Sequence, residues 1–225
     1  AAWIDENTLL IASQTALFRY DLSKKKRHDL SPLEADNTRT RSNDGRADAW
    51  GGFWISTMGK QAEKNAGAIY RYHRGELVQL FDNITIPNSI CFALDRKTAY
   101  FTDTPTQIIN RVSLDENGWP IGAPTPFAMV APHNPDGSVV DTDGNLWNAQ
   151  WGSSRVACYA PSGQFLTAQT FDATQISCPA FGGTDLQTLF ATSASIDLLG
   201  EKSAGQTFAI SCKSTGQAEH QIILG

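Results

Sequence analysis

Basic charge is scarce: the 225 residues include 18 Lys and Arg against 23 Asp and Glu, giving a formal net charge of −5. Nucleic-acid binders neutralise phosphate with clustered basic side chains. The single basic run here, residues 24–27, lies between Asp21 and Asp29 and reads as a solvated turn. No nucleic-acid partner is expected. Long apolar runs are also lacking. Nothing approaches the roughly 18 consecutive apolar residues of a membrane span, and no charged-then-apolar opening reads as a secretory signal. The expectation is a cytoplasmic protein with no membrane partner. The four cysteines, Cys91, Cys158, Cys178 and Cys212, lie far apart without a CxxC pair, which argues against a zinc ribbon or thioredoxin-type site; they read as buried, inert thiols. Windows with helical periodicity are rare, and no GxSxG elbow offers a serine nucleophile.

What is present is a repeat. Five segments share a large apolar residue followed by small or polar ones: Leu10-Ile11-Ala12-Ser13, Trp54-Ile55-Ser56-Thr57, Phe101-Thr102-Asp103-Thr104, Trp147-Asn148-Ala149-Gln150 and Phe190-Ala191-Thr192-Ser193. By subtraction of residue numbers their first members are 44, 47, 46 and 43 residues apart, close to the ~40–50 of a propeller blade. Turns rich in Asp, Gly or Asn precede them, as at Asp5-Glu6-Asn7, Asp95-Arg96-Lys97 and Asp143-Gly144-Asn145. Alternating strands follow most of them, at Leu17–Tyr20, Ile69–Tyr72, Arg155–Tyr159 and Thr207–Ile210. Period-two strands joined by such turns are antiparallel meanders, and meanders at this period give an all-β β-propeller. A β-sandwich has no reason to repeat at a fixed long interval. Five units use up the chain, so the reading is a single propeller domain over residues 1–225, either five-bladed or, as is favoured, lacking its N-terminal blade, since an open arc of blades would leave an unpaired edge. Ala1-Ala2-Trp3 leads straight into a second strand, and Gln221-Ile222-Ile223-Leu224 is a late strand.

In a propeller the first strand of each blade lines the channel, so equivalent positions form a ring. Counting back ten to thirteen residues from the anchors reaches Asp44, Asn88, Asp136 and Cys178. Asp and Asn before Gly are ordinary turn formers, but three oxygen-bearing residues recur here in phase. Converging carboxylate and amide oxygens suit a hard divalent cation.

The same residues carry a resemblance. Arg41-Ser42-Asn43-Asp44-Gly45-Arg46-Ala47-Asp48, with Gly51-Gly52-Phe53-Trp54-Ile55-Ser56-Thr57-Met58-Gly59, resembles the RxNDGxxDxxGRxWxGTM signature of the SMP-30/gluconolactonase/luciferin-regenerating (regucalcin-like) family. Ile86-Pro87-Asn88-Ser89, Ala99–Thr104, and Pro135-Asp136-Gly137 through Trp147 are similar to its later motifs, in order, over about residues 5–195. The resemblance implies a six-bladed propeller, of which about five blades are visible here, with one divalent cation in the channel and activity on sugar lactones. It assigns Asn88 and Asp136 as metal ligands, Asp136 as the catalytic acid/base, and Arg41 and Asn43 as substrate-binding residues. Calcium is the expected metal, with zinc, manganese and iron also associated with the family. The family's first-blade Glu, in a GEGP-like motif, is nowhere in the sequence.

The expected function is thus metal-dependent hydrolysis of a sugar lactone to an aldonic acid, the partner being that small molecule; nothing assigns an oligomeric state. The alternatives are a calcium-binding regulatory protein without turnover and a related hydrolase of phosphotriesters or other esters. Asp44, His133 and Trp151 are secondary: a residue directed away from the channel, a loop histidine and a rim contact. Trp147 is read as core.

Overall fold

The computed structural model describes residues 1–224. It contains five antiparallel meanders and, apart from one three-residue 3-10 turn, no helix among the described residues. The chain divides into two compact units, Ala1–Pro87 with Leu114–Pro120 and Glu219–Gly225, and Asn88–Ser113 with Ile121–Ala218.

In the first unit, β1 (Ala2–Asp5), β2 (Thr8–Ala12), β3 (Ala16–Asp21) and β4 (Lys26–Pro32) pair in chain order. A second sheet follows in the same way from β5 (Thr40–Ala47), β6 (Phe53–Gly59), β7 (Gly67–His73) and β8 (Glu76–Ile84). Leu10, Leu17, Leu33, Ala47, Phe53, Ile55, Tyr72 and Ile222 form its core. Arg71 on β7 is fully buried, bonded to Asp48 at 2.7 Å and lying 4.4 Å from the Trp119 ring centroid. The cation–π contact holds the Leu114–Pro120 turn against β7, while the ion pair ties β7 to the turn after β5.

In the second unit, β9 (Pro87–Phe92), β10 (Thr98–Asp103), β11 (Ile108–Leu114) and β12 (Pro120–Met129) form one sheet. The next contains β13 (Asn134–Val140), β14 (Leu146–Trp151), β15 (Arg155–Tyr159) and β16 (Phe165–Thr170). The last has three strands, β17 (Ile176–Gly182), β18 (Thr188–Ser193) and β19 (Thr207–Ser211). Trp147, on β14, is core, 2% exposed and edge-on to Phe181 at 5.8 Å.

One turn chemistry recurs between the first and second strands. Asp5, Asp48, Asp95, Asp141 and Asp185 each accept, through Oδ1, the backbone N–H two residues on. An Asx turn of this kind closes a tight connection without glycine in every position, and its spacing sets the period of the repeat. The five apolar anchors all fall on second strands, and Asp44, Asn88, Asp136 and Cys178 on β5, β9, β13 and β17. The all-β propeller class stands.

Two expectations are corrected. Residues 1–3 do not lead directly into a second strand: Ala2–Asp5 is itself a short first strand, paired with β2 through Ala2–Leu10 and Trp3–Leu9. Residues 221–224 form no strand. Ile222 N–H bonds Trp3 O and Ile223 N–H bonds Gly51 O, both at 3.0 Å. Consecutive bonds to two different elements cannot build a ladder; the segment is held by burial of Ile222 instead.

Candidate active site

The first strands are not regular. Register breaks between Ser42 and Gly45 in β5, between Pro135 and Ser138 in β13, and between Ile176 and Cys178 in β17. Such bulges turn a side chain out of the pleat and cluster beside active sites. Asn43 and Asp44 therefore sit in the β5 bulge, and Asp136 in that of β13. In β9 the residue after Asn88 is the irregular one: Ser89, fully buried, has φ +61°. A non-glycine residue in the left-handed region within a strand is strained and is retained only where its surroundings over-determine it.

In the first unit, the exposed Arg41 donates from Nη1 to its neighbour's carbonyl, Ser42 O, and to Asn43 Oδ1, both at 2.9 Å. Asn43 in turn donates from Nδ2 to Pro87 O at 3.0 Å. Arg41 and Asn43 are thus one hydrogen-bonded pair tied to the residue that precedes Asn88. Asp44 Oδ1 accepts from its neighbour Gly45 N–H, and its carbonyl from the buried Ser56 hydroxyl at 2.8 Å. Behind β5, Glu34 accepts hydrogen bonds from Thr40, Thr57, Tyr70 and Asn37. Burial acts to raise its pKa, but those hydrogen bonds outweigh it and hold the carboxyl below its ordinary value.

In the second unit, Asn88 is 6% exposed and donates from Nδ2 to Thr104 Oγ1 at 2.9 Å; Thr104 Oγ1 donates to Pro135 O at 2.7 Å. The Ser89 hydroxyl donates to Asp136 O at 2.5 Å. Two links therefore join β9 to the bulge of β13, one through Thr104 to the carbonyl before the Asp136 Cα and one directly to the carbonyl after it. Asn88 and Asp136, 48 residues apart by number, thus lie on strands linked from Asn88 through Thr104 to Pro135 and from Ser89 to Asp136. Thr104 occupies the Asn88 amide nitrogen, so the amide oxygen is the atom turned away from Thr104.

The secondary candidates lie elsewhere. His133, in the turn before β13, shares a hydrogen bond with Ser153 Oγ at 2.9 Å. Burial and the Arg155 charge depress its pKa, leaving a neutral imidazole at pH 7. Trp151 ends β14 half-buried, opposite Asn134 in register. The cysteines are all free, but only Cys91 and Cys158 are buried; Cys178 and Cys212 are half-buried, against expectation. Burial pushes the Cys158 thiol up to about 12.

Among the described residues, no three His, Cys, Asp or Glu side chains form a metal cluster. Asn88 and Asp136 supply one amide and one carboxylate, an oxygen-only pair that matches a hard cation in donor type. The residues the sequence did not single out are Ser89, Thr104 and Asn148, with Ser56 and Glu34 in the first unit. Small polar side chains in otherwise apolar, buried strands are the signal that marks three of them, Ser56, Ser89 and Asn148.

Meandering sheets with bulged, polar first strands define a propeller whose candidate site residues come from successive repeats. The chain belongs to the SMP-30/gluconolactonase/LRE-like family, whose model matches residues 1–195. It is 42% identical over 226 residues to a putative sugar lactone lactonase of Rhizobium meliloti, covering 97% of this chain and 76% of the relative. It is 31% identical over 195 residues to a 6-deoxy-6-sulfogluconolactonase of Pseudomonas putida, covering 84% of this chain and 66% of that one. The structure is similar to that of a calcium-binding protein, regucalcin, from Agrobacterium tumefaciens, with a TM-score of 0.95 at 37% identity, over 99% of this chain and 78% of the other. The chain thus spans two thirds to three quarters of the length of these proteins. No helix among the described residues is long and apolar enough to cross a membrane.

Proposed function

We propose that the protein hydrolyses a sugar lactone to its aldonic acid, with Asp136 as the acid/base. The observation that carries this reading is the position of Asp136 in a bulge whose backbone is clamped from two strands, in a chain 42% identical to a putative sugar lactone lactonase. Opening a lactone requires a water deprotonated as it attacks the carbonyl carbon. It also requires a proton for the ring oxygen as the acyl–oxygen bond breaks. One carboxylate performs both, taking the proton from water and returning it to the departing alkoxide, so the net reaction consumes only water. General-base help of this kind contributes about 10²–10⁴-fold.

Asn88 and Asp136 are the residues assigned to hold a divalent cation, calcium by their oxygen donors. Such an ion supplies Lewis acidity to the carbonyl oxygen. A carboxylate bound beside a cation is a modest base, so the strained ester of the lactone contributes much of the reactivity. Arg41 and Asn43, already paired with each other, are assigned to the hydroxyls of the sugar, to which the guanidinium is the stronger donor.

A panel of aldonolactones with a pH indicator, with and without EDTA, tests this reading on wild type and Asp136→Asn. The substitution keeps the side-chain volume and leaves the backbone bonds in place. Proton release is expected to fall at least 100-fold in the variant and to drop on chelation. Equal release by the two proteins sinks the assignment. A second reading, a calcium-binding protein without turnover, is favoured by the likeness to the calcium-binding regucalcin. Heat of calcium binding with no activity on any lactone would decide for it.

A further inference from the structure

Behind Asp136 lies a polar network buried where apolar packing would be expected. Ser89 and Asn148 are fully buried, and Ser138 is 1% exposed. Asn148 Nδ2 lies 3.0 Å from Ser138 Oγ, 3.1 Å from Ser89 Oγ, 3.2 Å from Asp136 O and 3.3 Å from Gly137 O. Ser138 Oγ donates to Ser89 Oγ at 3.1 Å, and Ser89 Oγ to Asp136 O at 2.5 Å.

The direction of every bond is determined. The two carbonyls can only accept, so the Asn148 group facing them is the NH2, and exchanging its oxygen and nitrogen would set three acceptors against one another. Each serine then has one hydroxyl proton to give, and the chain runs Ser138 to Ser89 to Asp136 O. The arrangement has a cost. Asn148 Oδ1 is buried with no hydrogen-bond partner, a desolvation penalty of about 1–3 kcal/mol. Ser89 adds backbone strain at φ +61°. An alanine or valine at position 148 would avoid the first cost but would leave the bulge carbonyls of Asp136 and Gly137 without this donor.

We infer that Asn148, acting with Ser89, is a positioning residue that fixes the β13 bulge and thereby the aim of the Asp136 carboxylate. The inference rests on the lactonase reading for its kinetic consequence, but its structural content does not. Neither residue carries out chemistry. A bulge residue has no ladder bond to hold its torsions, and a catalytic carboxylate needs its geometry held to within a fraction of an ångström. Two donors converging on the carbonyl of the residue to be aimed supply that constraint.

The test compares wild type with Asn148→Asp and Ser89→Ala. The first preserves shape while replacing the NH2 donor by a carboxylate oxygen; the second is a single-atom deletion that guards against a failure to fold. Thr192→Val is the control, because Thr192 bonds Cys178 O in the β17 bulge, where no candidate ligand lies. Two quantities are read: kcat and KM on an aldonolactone, and amide hydrogen exchange at Gly137 and Ser138. Asn148→Asp and Ser89→Ala are expected to lose at least tenfold in kcat with KM changed less than threefold, and to exchange those amides at least tenfold faster. Thr192→Val is expected to match wild type in both. Wild-type kcat in folded Asn148→Asp and Ser89→Ala overturns the inference. If wild type opens no lactone, the functional reading fails, and the exchange rates alone decide: unchanged rates at Gly137 and Ser138 overturn the clamp as well.

Discussion

Glu34 shows what a single half-buried carboxylate does here through hydrogen bonds. Its Oε1 accepts from Thr57 and Tyr70, both at 2.7 Å, and its Oε2 from Thr40 and Asn37. Three strands and a loop are thereby tied behind Arg41. In Glu34→Gln one oxygen becomes an NH2 that cannot accept, so Thr40 and Asn37 lose their acceptor. A loss of about 1–3 kcal/mol is expected at pH 7. The pH dependence follows from the depressed pKa. The stabilisation is complete above the unfolded value of about 4.3 and is lost as pH falls through the lower folded value. Urea melts of both proteins from pH 7 to pH 3 should therefore show a gap in stability that narrows on acidification below about pH 4. A gap constant across the range contradicts this account of the site.

At the scale of the element, the bulged first strand decides what the repeat can present, and glycine makes its close approach possible. A Cβ on Gly137 would come within 2.7 Å of Cys178 Sγ and 3.0 Å of Cys178 Cα. The second contact is backbone on β17 and cannot swing aside. Gly137→Ala is expected to cost about 1–3 kcal/mol, lowering Tm by roughly 2–12 °C for a chain of this size, and to reduce lactone turnover with it. A wild-type Tm and rate in this variant would show that β13 has slack the structure denies it.

The sequence was informative about elements and silent about bulges, for a physical reason. Trp54 and Trp147 mark second strands because a large apolar side chain there is buried in four of the five repeats, Phe190 being half-buried, and Asp48 and Asp141 mark the turns because their Oδ1 caps them. A bulge has no period: two residues oppose one only after the partner strand is in place. Only the family resemblance separates Asn43 from Asp44, adjacent in β5, before the structure adds that Asn43 reaches Pro87 O while Asp44 Oδ1 accepts from its neighbour Gly45 N–H. Asn148 was visible as a polar residue inside Trp147-Asn148-Ala149, but its partners are Ser89 and Asp136, which local patterning cannot supply. Residues 221–224 misled because an apolar run reads alike whether it pairs in a ladder or buries one side chain, as Ile222 does.

For the molecule as a whole, an ion bound by Asn88 and Asp136 would bind the folded state alone, since in the unfolded chain the two are separated by 48 residues by number. Binding then appears as stability. At 100 times the dissociation constant the gain is about 2.7 kcal/mol, which for a chain of this length raises Tm by about 5–10 °C. Asn88→Ala removes an oxygen donor, and Asp136→Asn keeps an amide oxygen but removes the negative charge that attracts the cation. The most direct measurement is a thermal melt of wild type and both variants across a calcium titration after treatment with EDTA. The account predicts a saturable rise of that size in wild type and little or none in either variant. Parallel curves for all three proteins would contradict it.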